Sequence, residues 1–167
     1  MIVTKLKLDK NLSSKNFFTL LIIFFSFSLS ADPLQKAVNN EFRDSKNISR
    51  DIYRNPYETL SFFELEPSMT VVELSPGGGW YTEILASYLD NSGTLIAAHF
   101  DRNSSNNYLK KSRLNFEKKI SSVAIYDKVK IVDLNSKLSE PGSVDAVLTF
   151  RNLHNWLGPM MDKVFSN

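Results

Sequence analysis

Cysteine is missing from the chain altogether, so neither a disulfide framework nor a thiolate metal centre can form. Histidine is nearly missing. His99 and His154 are the only two, and no third ligand stands at a spacing that would complete a metal site. Long hydrophobic runs are absent too: the one apolar stretch, 17–27, is short of the ~20 residues a membrane helix needs. An excess of one charge is also lacking, with 20 Lys and Arg against 18 Asp and Glu. A balanced chain of this kind has no electrostatic footprint for nucleic acid. No internal repeat or low-complexity tract follows residue 30, which leaves room for one domain with a real core and not for two.

What is present starts with a leader. Lys5, Lys7, Lys10 and Lys15 form a basic region, residues 17–27 an apolar one, and Ser28-Leu29-Ser30 puts small residues at the −3 and −1 positions before Ala31. That order predicts a signal peptide over 1–30 and an exported, periplasmic or secreted protein with no stable membrane span after cleavage. A retained N-terminal anchor is the alternative. The leader holds four of the 20 basic and one of the 18 acidic residues, so the remainder carries a net charge of −1.

The rest of the chain is organised around residues 69–81. Residues 69–74 are apolar and β-branched with one acid near the end, the pattern of a parallel strand covered on both faces. Pro76 and Gly77-Gly78-Gly79 then break the chain into a turn where a ligand can approach the backbone. From Trp80 the period becomes helical, with Tyr81, Ile84, Leu85, Tyr88 and Leu89 on one face. A helix start behind a glycine turn offers free N–H groups to an anionic ligand group. Glu73 decides which ligand. A carboxylate at the strand end sits poorly beside pyrophosphate, and the dinucleotide pattern would need glycine where Thr82 stands. S-adenosyl-L-methionine has no phosphate and brings an ammonium and a sulfonium, which favour a nearby carboxylate.

Glu73-Leu74-Ser75-Pro76-Gly77-Gly78-Gly79 resembles motif I of class I S-adenosylmethionine-dependent methyltransferases, with Ser75 where the first glycine of the ExGxGxG pattern would be. With residues 54–60 upstream and 150–156 downstream, the chain is similar, from about Arg50 onward, to a family of exported predicted methyltransferases. The resemblance implies an α/β, Rossmann-like doubly wound sheet. The family's sheet has seven strands in the order 3-2-1-4-5-7-6, whereas this sequence accounts for the first four, order 3-2-1-4. The chain therefore reads as C-terminally truncated relative to the family: a leader at 1–30, a helical segment at 31–63 and a partial methyltransferase domain at 64–167. A fourth strand left on the sheet edge predicts self-association through that edge.

The remaining elements supply candidate site residues. Asp32-Pro33 starts a helix as N-cap and first residue, with Leu34, Ala37, Val38 and Phe42 inward. A second helix, 56–63, carries Tyr57, Leu60 and Phe63 at packing spacing; in the resembling family it lies over the cofactor pocket, within reach of Arg54 or Tyr57. Gly93 ends the helix after the turn near the C′ position. Residues 94–98 form the second strand, after which His99 and Asp101 compete to meet the ribose hydroxyls. A helix follows with Leu109, Phe116 and Ile120 inward and Lys110, Lys111, Arg113, Lys118 and Lys119 mostly outward. Asp133, after the third strand at 129–132, either faces the adenine amino group or caps a turn. After the fourth strand, 145–150, come Arg151 toward the cofactor, Asn152 to orient a small-molecule acceptor, His154 as its general base and Trp156 to stack on it. A structural histidine and a packing tryptophan are the plainer alternative. The cofactor set is Glu73, Ser75, Pro76, Gly77, Gly78, Gly79, His99, Asp101, Asp133 and Arg151. A non-catalytic periplasmic binding or scaffold domain of the same fold is the second functional reading.

Protein recovered after export is expected to begin within a residue or two of Ala31. N-terminal sequencing tests this, and an intact Met1 would favour the retained anchor.

Overall fold

Four short strands, all parallel, form the centre of the computed structural model, which describes residues 31–158, 161–162 and 164. The leader expected at 1–30 lies outside the described residues. Strand β1 (Thr70–Leu74) pairs with β2 (Thr94–His99) on one side and with β4 (Ala146–Thr149) on the other, and β3 (Lys130–Asp133) lies outside β2. The order is β3-β2-β1-β4. The chain therefore steps outward twice from β1 and returns to its other side, which puts a topological switch point between β1 and β4. This is the Rossmann-like, doubly wound arrangement expected from the sequence.

The two-residue period of the strands sorts the core into two layers. Val71, Leu95, Ala97 and Leu148 face one layer, filled by Ile84, Leu85 and Leu89 of α5 (Thr82–Leu89) and by Phe116 and Ile120 of α6 (Asn107–Ile120). Val72, Leu74, Ile96 and Ala98 face the other, with Leu134, Trp156 and Val164. Glu73 and His99, one step out of phase with that second set, belong to the α5 side. The second face is less completely filled: a cavity of about 480 Å³ opens beside Val72, Leu74, Val144 and Val147. Val147 on β4 is 57% exposed. No helix among the described residues is long and apolar enough to cross a membrane.

The N-terminal segment contributes α1 (Pro33–Val38), α2 (Ser45–Ile48), α3 (Asp51–Arg54) and α4 (Pro56–Phe62), all within the same compact unit as the sheet. Asp32 caps α1 through the Leu34 N–H at 2.9 Å, with Pro33 in the first turn. Leu34, Ala37 and Val38 are buried as the pattern implied, but Phe42 lies beyond the helix and is 46% exposed. The polar stretch 45–48 takes a single helical turn, which Asp44 caps through the Lys46 N–H.

Three local expectations change. Gly93 does not adopt the left-handed conformation; it is required because a Cβ there would lie 2.6 Å from the Pro67 carbonyl and 2.7 Å from that of Met69. Arg113 turns inward instead of outward. Its Nη1 donates to Asp133 Oδ1 at 2.8 Å and to the Phe100 carbonyl at 2.9 Å, and its Nε donates to Glu117 at 2.8 Å, so every charged contact is met at the sheet edge. Helix α5 begins at Thr82, with Trp80 and Tyr81 still in the preceding turn.

Glu83, on α5, ties the N-terminal helices to the sheet. Its carboxylate is fully buried and accepts from Asn47 Nδ2 at 2.8 Å, from the Asp44 N–H at 3.3 Å and from Lys119 Nζ of α6. Arg43, also fully buried, stands with Nε 3.7 Å from Glu83 Oε2 and grips Asp51 with both terminal nitrogens, at 2.7 and 2.8 Å. Removing one member of such a set strands the others in a low dielectric. Glu83→Ala is expected to cost about 3–5 kcal/mol of unfolding free energy, measured by urea denaturation. A loss below about 1 kcal/mol would show that the N-terminal helices are held by apolar packing alone.

Candidate functional site

The site is built by the ends of β1 and β4. Ser75 continues β1 for one more bond, its N–H meeting the Ala98 carbonyl at 2.8 Å, and then takes φ 53°, a left-handed conformation unusual for a side-chain-bearing residue. Gly77 and Gly79 follow at φ 60° and 78°, which only glycine adopts without strain. A Cβ on Gly77 or Gly78 would meet nothing within 4 Å, whereas one on Gly79 would press on Phe116 at 3.1 Å. The first two glycines thus leave open space and the third allows close packing.

His99 fixes this turn from below. It is completely buried; its Nδ1 accepts the Phe100 N–H at 2.7 Å, so the Nε2 hydrogen points at the Gly77 carbonyl, 3.1 Å away. Burial holds its imidazole below the usual pKa, against the opposing effect of the Gly77 carbonyl. A neutral histidine with both nitrogens engaged serves the turn directly.

Above the turn lies a cavity of about 370 Å³. Its lining includes Glu73, Ser75, Pro76, Gly77 and Gly78 from the β1 end, Phe150, Arg151 and Asn152 from the β4 end, Trp80 and Tyr81, and Asn47, Arg50 and Arg54 from the N-terminal helices. Glu73 is 2% exposed and accepts one hydrogen bond, from Thr82 Oγ1 at 2.6 Å. Burial pushes its carboxyl up to about 7, against the smaller opposing effects of Thr82 and Lys119. Ser75 Oγ is buried on the same wall and has no partner among the described residues. Tyr81 stacks on Phe150 with ring centres 3.5 Å apart, joining the α5 start to the β4 end. The guanidinium of Arg54 lies 4.6 Å over the Trp80 ring, whose indole N–H is held by the Asn47 carbonyl at 2.9 Å.

Of the residues picked from the sequence, the cavity brings together Arg54, Glu73, Ser75, Pro76, Gly77, Gly78, Arg151 and Asn152. Asn152 is occupied structurally: its Nδ2 donates to the Ser75 carbonyl at 3.1 Å, the Phe150 carbonyl at 3.2 Å and Thr149 Oγ1 at 3.2 Å, pinning the β4 exit to the β1 exit. Gly79, His99, Asp101, Asp133 and His154 do not line the cavity. Asp101 accepts the Asn103 N–H at 2.7 Å as a turn residue, and Asp133 pairs with Arg113. His154 is exposed on a 3₁₀ turn, Leu153–Asn155, while Trp156 beside it is buried against the second sheet face. Tyr57 turns away to donate to Asp32. Arg50, Asn47 and Trp80 were not picked out. The one sequence signal for the first was its i,i+4 spacing from Arg54, which puts both on one helix side.

The arrangement fits a ligand with a cationic group. Glu73 is a buried acid whose charged form lacks compensation, so a neighbouring cation would restore the carboxylate, and the glycine turn leaves room beside it. Neither a family model nor a curated protein sequence matches the chain. Among solved structures, it is similar to a SAM-dependent methyltransferase from Aquifex aeolicus at 19% identity and TM-score 0.56, covering 80% of this chain and 66% of that one. A provisionally assigned methyltransferase from Thermoplasma acidophilum aligns at 24% identity and TM-score 0.39, over 61% of this chain and 40% of that one. The chain thus spans about two thirds of the length of the Aquifex structure. The fold is of the Rossmann-like methyltransferase type.

The raised pKa of Glu73 sets a sign for stability against pH. The folded protein holds the proton up to about 7 and the unfolded chain releases it near the ordinary glutamate value of 4.5. Stability contributed by the protonated form is therefore present below about 4.5 and lost as pH rises to about 7. Glu73→Gln is expected to flatten the unfolding free energy across that window, raising it at pH 7 by up to about 3 kcal/mol. Unfolding curves of the ligand-free protein at pH 5, 6 and 7 check this, and an unchanged slope would mean that Glu73 stays ionised.

Proposed function

We propose that the protein transfers a methyl group from S-adenosyl-L-methionine to a small-molecule acceptor. The observation that carries this reading is Glu73: a buried, under-compensated acid at the end of β1, on the wall of a cavity lined by a glycine turn that no phosphate-binding fingerprint explains. When bound, the cofactor would supply an electrophilic methyl group on a sulfonium. Glu73 would hold the cationic part of the ligand, and binding would lower its pKa by the same coupling that raises affinity. The backbone N–H groups of the glycine turn, at the start of α5, suit the ligand's carboxylate. Tyr81, Phe150 and Trp80 wall off water, and Asn152 keeps the two strand exits in register. Transfer of a methyl group depends mainly on holding donor and acceptor in line, so the chain's chief contribution would be positioning. The proposal includes export, on the strength of the basic, apolar and small-residue order of the leader.

One observation favours a second reading, a non-catalytic small-molecule-binding or scaffold domain. His154, the expected general base, is exposed and outside the cavity lining, so neither histidine of the chain reaches it.

Calorimetry against S-adenosylmethionine, its demethylated product and NAD separates these readings from a dinucleotide site. The expected result is binding of the first two and not of NAD, with affinity for S-adenosylmethionine rising between pH 6 and 8. Glu73→Gln should weaken it by about tenfold or more and remove the pH dependence, because one charge-assisted contact is worth about 1.5–3 kcal/mol. Binding of NAD alone would end the methyltransferase reading.

A further inference from the structure

The cavity carries more positive charge than a cationic ligand explains. Arg50, Arg54 and Arg151 all line it. Among the described residues, none of the three has a carboxylate within 4.0 Å. Asp51, the acid between Arg50 and Arg54, is taken by both terminal nitrogens of Arg43. Arg54 Nε is buried and donates to no group, while the flat face of the same guanidinium is held over Trp80. Ser75 Oγ, on a residue only 9% exposed, is a second unpartnered polar atom on the same wall. Burial, and after it the charge of Arg50, draws Arg54 below its ordinary pKa, with Arg151 adding to the effect. The one carboxylate in the lining is Glu73, at the end of β1 and bonded to Thr82, and it forms no ion pair with any of the three arginines.

We propose that Arg50, Arg54 and Arg151 form an oxyanion-binding arm of the cavity, and that the methyl acceptor carries a carboxylate or phosphate which this arm engages. The word acceptor rests on the methyltransferase reading; the arm itself does not. A guanidinium presents paired N–H donors that match a carboxylate or phosphate edge, and an anion would relieve the mutual repulsion of the three charges. The position of the arm points to the acceptor and not to the cofactor's own carboxylate. Arg50 precedes α3, Arg54 ends it and Arg151 follows β4, so none belongs to the glycine turn whose N–H groups suit that carboxylate.

Inorganic phosphate and benzoate are the probes, titrated into the full chain and followed by Trp80 fluorescence, beside a calorimetric titration with S-adenosylmethionine. Arg54→Met keeps an apolar stem to lie on Trp80, and Arg151→Asn suits the φ of 62° at that position. Arg50→Gln alters an exposed side chain and guards against a variant that fails to fold. Each variant is expected to weaken phosphate and benzoate about tenfold, the equivalent of about 1.4 kcal/mol, and to weaken S-adenosylmethionine by much less. Lys128→Gln, outside the cavity lining, should leave anion affinity unchanged. Absence of arginine-dependent anion binding in a protein that binds S-adenosylmethionine would overturn the arm alone. Equal losses for both ligands would assign the arginines to the cofactor and overturn it too. Arginine-dependent anion binding without any S-adenosylmethionine binding would support the arm and end the methyltransferase reading instead.

Discussion

The buried Glu83 carboxylate is the interaction on which the geometry of the cavity depends. It collects Asn47 from α2, the chain entering α2 at Asp44, and Lys119 from α6, and it faces Arg43 across 3.7 Å. The partners come from α2 and its entry on one side and from α6 on the other, so the carboxylate fixes the relative positions of these elements. Arg43 then holds Asp51 at the start of α3, and that helix carries Arg50 and Arg54 to the cavity rim. Charge buried at this depth is costly, and it is tolerated because each buried charge has an opposite charge beside it, even though Arg43 Nε and Glu83 Oε2 make no hydrogen bond.

A second constraint joins the sheet to the turn. Parallel strands end together on one side, and here the ends of β1, β2 and β4 are tied by side chains. His99 at the end of β2 holds Gly77, and Asn152 after β4 holds the Ser75 carbonyl. Both were read from the sequence as groups awaiting a ligand. In the structure His99 engages both ring nitrogens, with the Phe100 N–H and the Gly77 carbonyl, and Asn152 Nδ2 donates to the Ser75 and Phe150 carbonyls and to Thr149 Oγ1, which braces the strand exits around the left-handed residues at 75, 77 and 151. Strained backbone at a strand exit needs such support, and the side chains nearest to it supply it.

Glu73 and Glu83 are both buried on α5's side of the sheet and have opposite meanings. Glu83 is surrounded by cationic and N–H donors and holds structure. Glu73 has one hydroxyl, and burial leaves its charged form short of partners while it borders open space. The difference is in what reaches each carboxylate through space, and the bare occurrence of two acids ten residues apart does not reveal it.

Local pattern carried a large part of the fold. The β-branched run before Glu73, the glycine turn and the helical period after Trp80 follow from side-chain periodicity and from glycine's access to positive φ, both properties of a short stretch of chain, whereas the order of the four strands was implied only by the resemblance of residues 73–79 to a known motif. The place of Glu73 at the end of β1, beside the glycine turn, was legible for the same reason. The Glu83 cluster, joining residues 36 positions apart at Asn47 and again at Lys119, was not. Nor were the inward turn of Arg113, the exposure of His154 or the convergence of Arg50 and Arg151, since each depends on which elements meet in space. Backbone preference is set by neighbours in the chain, and a charge is set by neighbours in space; the sequence by itself determined the first, and only the tertiary structure decided the second.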